Sequence, residues 1–152
     1  MIERIILVLW ALAAAGYDAR RRRLPNWLTL GGLAVGAVYA FLTGTSLLGG
    51  DAVSALLAAV VGLAALFPAY LAGWMGAGDV KLFAAMGMLG GGKVLLPTLL
   101  AGSLITGFGA LVLIWLNRGI VPRKRLLPFG VGLAAGFVLS VLDLLPILAW
   151  KG

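Results

Sequence analysis

The sequence predicts an all-α, polytopic membrane protein of about six transmembrane helices with the N-terminus outside, and three observations predict it. Hydrophobic residues make up 62% of the 152 positions and charged residues 11%, with a mean hydropathy of +1.11. A soluble domain of this size lacks the charge to cover its surface. The apolar residues come in blocks long enough to cross a bilayer, unlike the short runs of a water-soluble core. The basic residues gather between those blocks, in the pattern of cytoplasmic loops.

Six segments follow in order. The first runs from about Ile5 to Tyr17, the second from Trp27 to Leu48 and the third from Ala52 to Trp74. The fourth is short, from Val80 to Gly90; the fifth runs from Val94 to Leu116 and the sixth from Leu126 to Ala149. At about 1.5 Å per residue the longer segments reach across the hydrocarbon core. The first and fourth fall short and must lean on neighbours or on flanking polar residues. A re-entrant loop is the alternative for the fourth. The whole, 1–152, reads as one membrane domain without a soluble appendage. No cleavable signal peptide is expected, because the opening segment ends in Tyr17-Asp18 and an arginine run.

Six crossings place Arg20, Arg21, Arg22, Arg23, Lys81, Arg118, Arg123, Lys124 and Arg125 inside, against Arg4, Lys93 and Lys151 outside. That asymmetry satisfies the positive-inside rule, whereas a re-entrant fourth segment would put Arg118 to Arg125 outside. The net charge of +7 has the same origin and calls for no nucleic acid partner. The arginines at 20–23 are expected against anionic lipid headgroups. Many of the 23 glycines, among them Gly31, Gly32, Gly36, Gly102, Gly132 and Gly136, fall inside spans, where they allow close helix packing.

The sequence contains no cysteine and no histidine. That excludes disulfides, thiolate or histidine-rich metal sites, and cysteine- or histidine-dependent nucleophilic catalysis. Hydrolytic chemistry would have to run on carboxylates, lysine or serine. Five acids are present: Glu3, Asp18, Asp51, Asp79 and Asp143. Acids in or beside a membrane are costly, so each needs a reason. Asp51, between Gly49-Gly50 and an apolar run, reads as the N-cap of the third helix. Glu3 belongs to a solvated terminus. Asp143, about sixteen residues into the last span by position, can cap, snorkel or bind a neighbour. Asp18 and Asp79 are separated by two crossings and therefore share one face of the membrane, cytoplasmic by the charge count. Singly, Asp18 can pair with the arginines after it and Asp79 can cap the fourth helix. Together, two converging carboxylates can share one proton, one acting as general base on water and the other as general acid. Such hydrolysis requires no cofactor and no metal. Gly76 and Gly78 would let backbone and substrate approach Asp79. Pro25 and Asn26 would end the basic loop and start the second helix.

Gly76-Ala77-Gly78-Asp79-Val80-Lys81-Leu82 resembles the GxGD motif of the membrane aspartyl peptidases, in the form carried by prepilin peptidases. Asp18-Ala-Arg-Arg-Arg-Arg-Leu-Pro-Asn-Trp-Leu-Thr is similar to that family's first catalytic segment. Leu127-Pro128-Phe129-Gly130 is a weaker match to its late Pro-aromatic-Gly stretch. The resemblance implies that Asp18 and Asp79 are the catalytic pair. It also implies cytoplasmic cleavage of prepilin-like precursors, after a short basic leader and ahead of a hydrophobic helix. Longer members carry paired cysteines in an extra cytoplasmic region and methylate the new N-terminus. The absence of cysteine implies cleavage without methylation, as in the short peptidases of tight-adherence (Flp) pilus systems in the bacterial inner membrane or the archaeal preflagellin peptidases. Lys81 is expected as a membrane-edge anchor or as an orienting group. A serine–lysine peptidase finds no serine in a nucleophile-like context. The alternative of another class is a non-enzymatic subunit or small ion-coupled transporter using Asp18 and Asp79 as ion or proton sites. Oligomeric state leaves no mark in the sequence.

Overall fold

A computed structural model describes residues 1–21, 23–116 and 129–144. Arg22, Arg118, Arg123, Lys124, Arg125, Leu127, Pro128 and Lys151, all invoked above, lie outside the described residues. Among the described residues there are six helices: α1 (Ile2–Arg21), α2 (Asn26–Thr43), α3 (Ala52–Leu71), α4 (Ala77–Gly90), α5 (Gly92–Leu116) and α6 (Phe129–Val141). The only extended pairing described is an isolated bridge between Thr45 and Asp51. The described residues thus form an all-helical fold, and α2, α3 and α5 are each long and apolar enough to cross a membrane.

Hydropathy misplaces several boundaries, each for a local reason. α1 runs on through Asp18 to Arg21 because basic residues suit the carbonyl end of a helix. α2 stops at Thr43, short of the expected Leu48, where Gly44 takes a left-handed conformation (φ 74°) and returns its N–H to Ala40 O. α3 ends at Leu71 rather than Trp74, followed by Gly73 at φ 75°. Asp51 is the N-cap of α3, its carboxylate accepting from the Ser54 N–H at 2.6 Å. α6 ends at Val141 instead of continuing through Asp143. That residue adopts φ 54° just past the helix and binds Arg4 at 2.6 Å, tying the start of α1 to the end of α6.

α4 is the axis of the bundle. Eleven of its fourteen residues are buried, and it packs against α2, α3, α5 and α6. The approach to α3 is close: a Cβ on Gly87 would meet the Ala58 backbone at 2.7 Å. α5 packs on α6, and α6 on α1. The core between them includes Leu7, Phe83, Met86, Leu133 and Phe137. α1 carries its buried residues at Leu7, Ala11, Ala14 and Asp18, one helical stripe. At about 1.5 Å per residue α4 is roughly 21 Å long. It runs from the end that holds Asp18 to the end that holds Arg4, Asp51, Lys93 and Asp143.

Candidate active site

Asp18 terminates the buried stripe of α1, so the periodicity that packs Leu7 and Ala14 also turns its carboxylate inward. Asp79 sits in the first turn of α4. Its Oδ2 accepts from the Gly76 N–H at 3.1 Å, and its own N–H donates to Gly76 O at 3.1 Å. One oxygen therefore satisfies a free donor at the helix start, which fixes the side chain. The residues are 5% and 8% exposed, buried enough that each acid needs a reason to be there.

The two carboxylates converge on Gly130 in α6. A Cβ there would meet Asp18 Oδ2 at 2.6 Å and Asp79 Oδ1 at 3.2 Å. Two oxygens so close to one point lie within about 6 Å of each other, near enough for one charge to bias ionisation of the other. The hydrogen at Gly130 is what leaves room for both.

A pocket of about 320 Å³ opens beside the pair, lined by Asp18, Arg23, Leu24, Asn26, Gly76, Ala77, Gly78, Asp79 and Lys81. Gly78 lies against Leu24, where a Cβ would come within 2.9 Å of the leucine Cβ. Pro25 is the N-cap of α2, and its carbonyl accepts from the N–H groups of Leu28 and Thr29. Asn26, the first helical residue, does not cap; its Oδ1 accepts from Lys81 Nζ at 3.0 Å. That bond links the segment after Asp18 to the helix of Asp79.

Every residue singled out from the sequence for this site lines the pocket, apart from Pro25, which positions Asn26. Two contributors were underweighted. Arg23, which the sequence groups with its neighbours at 20–23, lines the pocket while remaining exposed, like Arg20 and Arg21 on α1. Gly130 was visible only as the end of the weaker motif, and no spacing rule brings it to the aspartates.

Residues 5–114 match the Type IV leader peptidase family. A prepilin leader peptidase/N-methyltransferase of Xanthomonas campestris pv. campestris is 38% identical over 143 residues, covering 88% of this chain and 47% of the relative. One from Aeromonas hydrophila is 37% identical over 139 residues, with the same coverage of each. The chain spans about half the length of these curated relatives. No solved structure matches it. With the match extending over most of the described helices and both aspartate segments, the chain belongs to the Type IV leader peptidase family.

Proposed function

We propose that the protein is a membrane aspartyl endopeptidase that removes the short basic leader from prepilin-like precursors of the Flp type. In this reading it works at the cytoplasmic face of the cell membrane and leaves the new N-terminus unmethylated. The observation that carries the proposal is the convergence of Asp18 and Asp79 on Gly130. One carboxylate, ionised, takes a proton from water as it attacks the scissile carbonyl. The other, protonated, donates to the developing oxyanion; the first then passes the proton it took from water to the departing amine, and the second recovers its own as the diol collapses to the new carboxyl group. Burial of both groups suits this division of labour, since like charges so close do not readily coexist. Asp79 is held by the Gly76 N–H, and the Lys81–Asn26 bond keeps the two catalytic segments in register. The absence of cysteine supports cleavage without methylation.

The test is co-expression with prepilin-like precursors, read by gel shift and by mass spectrometry of the mature N-terminus. Wild type should cleave and leave an unmodified amine. Asp18→Asn and Asp79→Asn should each lose about 10²–10⁴-fold in rate, the usual worth of a general acid or base. Full cleavage by either variant would sink the dyad, and a methylated product would sink the second half of the proposal.

A further inference from the structure

The helices around α4 form an incomplete ring. α2 meets α3, α3 meets α5, α5 meets α6 and α6 meets α1, but among the described residues α1 and α2 have next to no backbone contact. The gap is bridged by side chains. Trp10 donates from Nε1 to Leu28 O at 3.2 Å, and Tyr17 meets Trp27 edge-on with ring centroids 5.7 Å apart. Between these helices lies a predominantly apolar cleft of about 350 Å³, whose walls include Trp10, Trp27, Leu28, Gly31 and Val35, with Leu89 of α4 among the lining residues.

The cleft adjoins the catalytic pocket. Asn26 lines the pocket, and the next two residues, Trp27 and Leu28, line the cleft. From Trp27 to Val35 it follows α2 for about 12 Å. On α1, Tyr17 of the aromatic contact directly precedes Asp18.

We propose that this α1–α2 cleft seats the apolar helix of the precursor, and so delivers the bond just ahead of that helix to Asp18 and Asp79. The inference rests on the peptidase reading. It follows from a geometric demand: a substrate whose cleavage point adjoins a membrane helix must reach the dyad sideways, from the bilayer. The α6 side is occupied, since Gly130 already stands against both carboxylates and α6 packs on α1 and α5. Among the described residues the α1–α2 gap is the break in the ring, and along α2 its lining follows directly on that of the pocket, Trp27 after Asn26. A helix is about 10 Å across, so the cleft holds one flank of it, with knobs inserting where Gly31 leaves open space.

The experiment uses the full chain in membranes with a precursor that wild type cleaves. A photo-crosslinking residue is placed at Val35 in an Asp79→Asn background, or at Leu57 or Leu104, exposed positions on α3 and α5. Crosslinking to the precursor at Val35 and not at the two controls is expected. In parallel, Gly31→Leu, where an added Cβ meets nothing within 4 Å, should fold normally and slow precursor cleavage by at least about tenfold by filling the seat. Equal crosslinking at all three positions would overturn the proposal, as would capture at Val35 of lipid or of a second copy alone. So would unchanged cleavage by Gly31→Leu. Failure of wild type to cleave any precursor would count against the peptidase reading itself and is seen before any crosslink is made.

Discussion

Leu7, Ala11, Ala14 and Asp18 share one face of α1, and a charge placed on a packing stripe is the residue-scale signature of this site. The stripe itself is not legible in the sequence, because Ile5 to Gly16 is apolar on every face and only Asp18 at its end stands out. What periodicity cannot supply is the third party. Gly130 reaches Asp18 and Asp79 from α6, more than a hundred residues away from the first of them. Gly130→Ala should therefore force a carboxylate aside and cut cleavage by roughly tenfold or more, at unchanged protein level. Gly107→Ala, in open space on α5, should cleave as wild type does. Both are measured by precursor gel shift against immunoblotted enzyme. Arg4→Ala removes an ion pair whose side chains are 47% and 67% exposed. The loss should be no more than about 1 kcal/mol, because water and salt screen such a pair. Thermal unfolding in detergent checks it.

At the scale of elements, the existence and order of the helices were legible, and their ends were not. Hydropathy sums over residues, whereas an end is set by single groups: Gly44 at the close of α2, Asp51 at the opening of α3, Gly76 and Asp79 at the opening of α4. Asp51 was identified correctly because its role depends only on local sequence. Asp51→Ala should cost about 1 kcal/mol, the usual worth of an N-cap, seen as a lower midpoint in detergent unfolding with cleavage retained. Gly87 shows the opposite case. Its partner is the Ala58 backbone, which nothing local reveals. Gly87→Val should prise α3 from α4 at a cost of about 1–3 kcal/mol and reduce the yield of folded protein, scored by size-exclusion profile.

For the whole molecule, the charge count gave a sidedness and the structure gives two ends. Asp18 and Asp79 mark one end of α4; Arg4, Asp51, Lys93 and Asp143 gather at the other. If six crossings hold with the N-terminus outside, Lys93→Cys should react with an impermeant maleimide in intact cells and Arg20→Cys only after lysis. The chain has no native cysteine, so each label reports a single site. Labelling of both in intact cells would reject that topology. The break between α1 and α2 had no sequence signal, because lipid-facing and neighbour-facing apolar residues look alike in a membrane chain.

The burial of α4 also bears on how the protein is made. With eleven of fourteen residues enclosed, Ala77–Gly90 gains little from meeting lipid alone; α2 and α3, made before it, supply most of its seat, and α5 and α6, synthesised after it, complete the enclosure. A ribosome that has just completed the aspartate-bearing helix has therefore not yet completed its binding place. Nascent chains that stop before α5 should be recognised as orphans and degraded, and the working position of Asp79 is acquired late, by assembly, rather than at insertion.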